Sequence, residues 1–142
     1  MPDNDLPELD PVQLLVMANR VDGITREMTN TLIRTGRSTN MVARDFSCSI
    51  ADSHCNLLAA PEGLPVHVFG TSLIAESMAD LHPEFKQGDA FLHNDPYLGG
   101  SHPADHTIVV PVFVEGAHIF TVCVKAHLAD IGNSLPSTYI PN

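Results

Sequence analysis

The chain has 142 residues, 44% of them hydrophobic, with 17 acidic residues against 7 basic ones and a formal net charge of −10. That length supports one domain with a real core and is short for two. Without a basic footprint a nucleic-acid binder is excluded, and no run approaches the ~20 consecutive apolar residues of a membrane span.

The opening Met-Pro-Asp-Asn-Asp-Leu-Pro-Glu is acidic and lacks the apolar stretch of a secretory signal, so residues 1–9 read as a flexible tail. Asp10 followed by Pro11 supplies an N-cap acceptor and the residue best suited to the first helical position. Leu14, Met17, Val21, Ile24, Met28 and Leu32 then recur at helical spacing, which predicts a long amphipathic helix whose methionines pack in the core. Gly36 is its expected C-terminal cap. Phe46 to Ala51 reads as a strand, Asp52 to Asn56 as a hairpin connection and Leu57 to Ala60 as the return, broken by Pro61, Gly63 and Pro65. A second helix is expected over Thr71 to Leu81, with Leu73, Ile74, Met78 and Leu81 on one face and Pro83 beyond its end. Ala90 to His93 forms a short strand after the Gly88-Asp89 turn, and Asn94 to Asp105 a loop. Thr107 to Val114 and Ala117 to Lys125 are paired strands joined by a two-residue Glu115-Gly116 turn. The expected fold is α+β: a long N-terminal helix packed on mainly antiparallel strands. The chain ends on Leu-Pro-Ser-Thr-Tyr-Ile-Pro-Asn without a closing element and reads as the N-terminal portion of a larger subunit.

The three cysteines, Cys48, Cys55 and Cys123, are odd in number and form no C-x-x-C pair. They read as reduced, buried thiols in a cytoplasmic protein. No Walker loop, no G-x-G-x-x-G and no G-x-S-x-G elbow is present, so the sequence shows no nucleotide cradle and no nucleophile motif. Arg37, Arg44 and Asp45 could hold an anion, though an ordinary ion pair is the better reading.

Chemistry concentrates at the open end of the last hairpin. With Val114 facing Ala117, Asp105 falls opposite Ala126 and Ala104 opposite His127, which gathers His102, Asp105 and His127 at the hairpin mouth. Two imidazoles and a carboxylate form a usual first shell for a catalytic divalent metal. Gly99-Gly100 gives the loop freedom to fold His102 inward, and Asp130 could accept the second ring N–H of His127. His54, His67, His82, His93 and His118 read as ordinary surface or core histidines, and His106 stays open.

Three ordered motifs carry a family resemblance. Asn94-Asp95-Pro96-Tyr97 with Gly99-Gly100-Ser101-His102-Pro103-Ala104-Asp105 resembles the NDPY-x-GG-[ST]-H-x-x-D signature of hydantoinase B/oxoprolinase proteins. Arg44-Asp45-Phe46-Ser47 and Ala126-His127-Leu128-Ala129-Asp130-Ile131-Gly132 resemble two further segments of that family. Within it, Arg34-Thr35-Gly36-Arg37-Ser38, Ala104-Asp105-His106-Thr107 and Gly132-Asn133-Ser134-Leu135-Pro136 are similar to the large (alpha) subunit of acetone carboxylase and related ketone carboxylases.

The resemblance implies that residues 10–142 are the N-terminal part of a hydantoinase B-like domain. It places metal ligands on His102, Asp105 and His127, with manganese the expected ion and zinc or iron compatible with the same donors. It further implies a hydantoinase A-like partner subunit that binds ATP, and a small ketone or cyclic amide as substrate. Asp95 and Asp130 are candidates for outer-layer or pocket roles. ATP-dependent carboxylation of a ketone is the leading expectation. Opening of a hydantoin or 5-oxoproline ring and a truncated, non-catalytic interaction piece are its alternatives.

Overall fold

The computed structural model describes residues 10–132; the tail assigned to residues 1–9 and the motif residues from Asn133 to Pro136 lie outside them. A helix, α1 (Pro11–Thr35), and a single turn, α2 (Thr39–Val42), lead into strands β1 (Phe46–Asp52) and β2 (Leu57–Ala59). Helices α3 (Pro65–Val68) and α4 (Thr71–Leu81) follow, then β3 (Phe91–His93), a 3-10 turn over Pro96–Leu98, β4 (Asp105–Val114) and β5 (Ala117–His127). The strands form one five-stranded antiparallel sheet in the order β2-β1-β5-β4-β3. No described helix is long and apolar enough to cross a membrane.

Two layers cover the sheet. On one face α1 lies against β1 and β2, with Met28 and Leu32 beside Cys48 and Val124. On the other, Ile74 and Met78 of α4 pack on Val109 and Cys123, and Ala75 on Ala51 and Cys55. The three cysteines are free and buried, and burial pushes the Cys123 thiol up to about 12.

Helix α1 starts where the sequence places it, with the Asp10 carboxylate accepting from Val12 N at 2.9 Å. Its buried face differs from the expected stripe. Residues 11–20 are exposed, Leu14 and Met17 included, as is Ile24, and the fully buried positions are Thr25 and Thr29. The reason is length: 25 residues of helix run roughly 37 Å, whereas the seven residues of β1 span roughly 23 Å, so the first turns project past the sheet. Gly36 does cap the helix, in an extended rather than a left-handed conformation. Glycine is required there by contact, since a Cβ would stand 2.5 Å from Met41 Cγ.

Helix α4 spans the expected residues but buries Thr71, Ile74, Ala75 and Met78, leaving Leu73 and Leu81 exposed. The Pro61–Pro65 segment, read only as a breaker, contains the start of α3, with Pro65 in the first helical position. In the last hairpin, Glu115 and Gly116 both take positive φ, the two-residue turn that matches strand twist.

Candidate metal centre

The hairpin register differs from the sequence-based one by a single residue, and the difference matters for the site. Val114 faces Ala117 and Phe113 faces His118, but Val112 faces Phe120. Ile119 is therefore an extra residue in β5, a bulge that shifts every pair beyond it. Asp105 comes to lie opposite His127 itself rather than Ala126. Directly opposed residues share a sheet face, so the bulge brings the carboxylate and the imidazole together.

The geometry follows from that pairing. The Asp105 carboxylate is fully buried, with Oδ1 2.6 Å from His127 Nδ1 and Oδ2 3.0 Å from His102 Nδ1. The two rings stand at 89° with centroids 5.8 Å apart. Each of the three residues offers a ligand atom, all within 4.8 Å of one another. His127 is nearly buried, while the His102 side chain, 44% exposed, opens the group toward solvent.

Neighbouring backbone holds the arrangement. Asp105 N donates to His102 O, Leu128 N to Ala104 O and His127 N to Asp45 O, while Asn40 Nδ2 donates to His127 O. The loop that carries His102 is seated on the α3–α4 junction. Gly99 takes φ +93°, and a Cβ on Gly70 would stand 2.1 Å from Gly99 O, so two backbones touch where no side chain fits. Ser101 Oγ donates to Val66 O at 3.2 Å and Asn94 Nδ2 to Pro103 O at 2.9 Å, fixing the two ends of that loop.

Burial alone would raise the Asp105 carboxyl. The hydrogen bonds from His127 and His102, with the nearby His67, outweigh it and hold the group below the ordinary carboxylate range. An ionised carboxylate, fully buried and faced by two imidazoles, is a donor set that suits a divalent cation.

The adjoining row on the same face is polar as well. His93, Thr107, Lys125 and Ser47 pair in succession across β3, β4, β5 and β1, and all are buried. Burial lowers the Lys125 ammonium below its usual value, with Asp105 acting the other way, and its Nζ donates to Gly99 O at 3.4 Å. Burial likewise lowers His93.

Other sequence-derived candidates sit elsewhere. Asp95 is exposed and caps the 3-10 turn, its Oδ1 accepting from Tyr97 N. Asp130 is exposed and accepts from Gly132 N. The ring Nδ1 of His106 lies 3.3 Å from Ala104 O. Arg44 forms an ion pair, but with Glu62, because Asp45 turns to His67.

His67, expected to be an ordinary surface or core histidine, lies in the core beside Asp45. It is 2% exposed, with Nε2 3.0 Å from Asp45 Oδ1. The one available signal was Pro65, whose fitness for a helix start places His67 on α3 rather than in a loop.

The family described as Hydantoinase B/oxoprolinase matches residues 10–142. The chain is 38% identical over 138 residues to 5-oxoprolinase of Saccharomyces cerevisiae, covering 95% of the chain and 11% of that protein. It is 33% identical over 136 residues to caprolactamase subunit beta of Pseudomonas jessenii, covering 94% and 23%. The crystal structure of the ATP-dependent caprolactamase from that organism superposes with TM-score 0.81 over 92% of this chain and 23% of the other, at 32% identity. A nucleotide-free acetone carboxylase structure superposes with TM-score 0.80 over 89% and 17%, and at 22% identity it speaks for the fold alone. The chain thus spans about a tenth to a quarter of the length of these relatives.

Proposed function

The chain belongs to the hydantoinase B/oxoprolinase family, and from that premise we propose that it forms the metal-holding part of an ATP-dependent enzyme acting on a small cyclic amide. One observation carries the proposal: two imidazoles converge on one fully buried, ionised carboxylate at the mouth of a hairpin. His102, Asp105 and His127 would hold a divalent ion, with manganese, zinc and iron all compatible with the donors. Such an ion supplies Lewis acidity for a developing oxyanion.

The protein's own part is placement. Asp105 fixes both rings by facing their Nδ1 atoms, and the bulge at Ile119 keeps His127 opposite it. Exposure of His102 leaves one side from which substrate can approach. Asp95 and Asp130 are proposed as outer groups that shape this mouth through the turns they cap. ATP would bind a hydantoinase A-like partner, a division suggested by the word "subunit" in the caprolactamase relative's name. Residues 10–142 would then be the first part of a longer domain.

The ring-opening reading rests on relatives between 33% and 38% identical, named for cyclic amides. Carboxylation of a ketone is the second reading, resting on the resemblance of the Ala104-Asp105-His106-Thr107 motif to ketone carboxylases. The test is ATP consumption by the chain assembled with its partner and supplied with 5-oxoproline, caprolactam or acetone plus bicarbonate. Amide-dependent consumption with ring-opened product supports the proposal, and acetone-dependent consumption with carboxylated product replaces it with the second reading. No substrate-dependent consumption by metal-loaded protein would make the chain a non-catalytic interaction piece.

A further inference from the structure

The two imidazoles of the triad come from different elements. His127 ends β5, whereas His102 rides on the loop between the 3-10 turn and β4. Two serines tie that loop to the helices: Ser101 Oγ donates to Val66 O at 3.2 Å, and Ser77 Oγ to Leu98 O at 3.4 Å. Lys125 ties it to the strand that carries His127, its Nζ donating to Gly99 O at 3.4 Å. The same ammonium lies against the junction of α3 and α4, 3.1 Å from where a Cβ on Gly70 would stand. One side chain of β5 thus meets both the loop and the helix junction.

The register puts this side chain beside the triad. Lys125 is two residues from His127 and faces Thr107, itself two residues from Asp105, so all four share one face of the sheet. Lys125 is 2% exposed. Burying an ammonium costs free energy that a methionine of similar length would avoid. Packing of the stem therefore does not explain the lysine, whereas the donor at its tip does. Asp105, in the adjoining row, supplies the opposing charge.

We propose that Lys125 is a positioning residue of the metal centre: by holding Gly99 O it sets the loop so that His102 reaches the ion. The inference rests on the metal-holding reading of His102, Asp105 and His127 given above. Gly99, at φ +93°, is the left-handed residue on which the chain leaves the 3-10 turn, three residues ahead of His102.

Two opposing effects make the sign of the test decisive. As a positive charge near a cation site, Lys125 disfavours the ion, so charge removal alone would tighten binding. As a clamp it favours the ion through His102, so its loss weakens binding. A role in packing alone would do neither.

The experiment is titration of the purified chain with manganese and with zinc, wild type beside Lys125→Met, which keeps an apolar stem and drops the donor. The dissociation constant rises about 10- to 100-fold, the usual effect of removing a group that orients a ligand. In a His102→Ala background the same substitution weakens binding no further. Unchanged or tighter binding in Lys125→Met, or equal weakening in both backgrounds, would overturn the proposal. So would a Lys125→Met chain without the wild-type far-ultraviolet dichroism, because the ammonium would then support the sheet as a whole.

A second measurement needs no metal. In the imidazole nitrogen spectrum of the labelled, ion-free chain, His102 shows Nδ1 protonated toward Asp105 Oδ2. Lys125→Met removes that preference at His102 and leaves His127 as it is. A His102 signal that the substitution does not change would overturn the assignment. If the wild-type chain bound neither ion, the metal-holding reading would fail, and this spectrum would still decide whether Lys125 positions His102.

Discussion

Along β4 and β5 alternate residues go to opposite faces of the sheet, and those two faces are closed to very different degrees. On the α3–α4 face, Asp105, Thr107, Val109, Thr121, Cys123, Lys125 and His127 are all buried. On the α1 face the row from Cys48 through Val124 to Ile108 and Leu92 grows steadily more open, reaching 50% exposure at Ile108 and 69% at Leu92. The sealed face carries the polar row of Asp105, Thr107, Lys125 and His127 beside the apolar clusters around Ile74 and Ala75, whereas the row on the open face is apolar. Buried polar side chains persist only where partners or ligands satisfy them. The contrast makes the sealed face the proposed seat of function, and the partly open face is expected to tolerate change.

The largest effect is expected from Asp105→Ala, which strips two imidazoles of their shared buried carboxylate. Breaking a buried pair from one side costs about 3 to 5 kcal/mol, measured as denaturant stability near neutral pH. Acid sharpens the test. The Asp105 carboxyl lies below its ordinary value of 3.8 when folded, so its contribution is complete above that value and is lost as pH falls through the lower folded one. The gap between wild type and variant should accordingly narrow below about pH 4, where the unfolded chain takes up the proton.

Ile74→Ala, beneath the same face, empties a site that is fully buried against Val109 and Cys123, with an expected loss of about 2 to 5 kcal/mol. Gly70→Ala forces a Cβ against Gly99 O, and about 1 to 3 kcal/mol of strain is expected together with weaker metal retention. Far-ultraviolet dichroism should stay unchanged, since the displaced element is a loop. On the open face, Ile108→Ser should alter stability by no more than about 0.5 kcal/mol. A loss there as large as that of Ile74→Ala would erase the distinction between the two faces.

Much of the architecture was legible because it rests on local signals. Asp10-Pro11 opens α1, the Glu115-Gly116 turn sets the last hairpin, and α4 runs from Thr71 to Leu81. His102, Asp105 and His127 were found together because hairpin ends meet whatever the register. The illegible parts depend on tertiary contact. No pattern announces the bulge at Ile119, which decides that His127 rather than Ala126 opposes Asp105. The buried stripe of α1 is set by where the sheet stops, so Thr25 and Thr29 pack while Leu14 and Met17 do not. The burial of His67 against Asp45 joins residues distant in sequence, which no local pattern announces.

The central claim is that His102, Asp105 and His127 together bind one divalent ion. Elemental analysis of the purified chain, beside a His102→Ala/His127→Ala double variant, tests it most directly. The account predicts near-stoichiometric manganese, zinc or iron in the wild type and its loss in the variant. Wild-type protein that stays metal-free after incubation with each of these ions, or a variant that retains as much metal as the wild type, would contradict it.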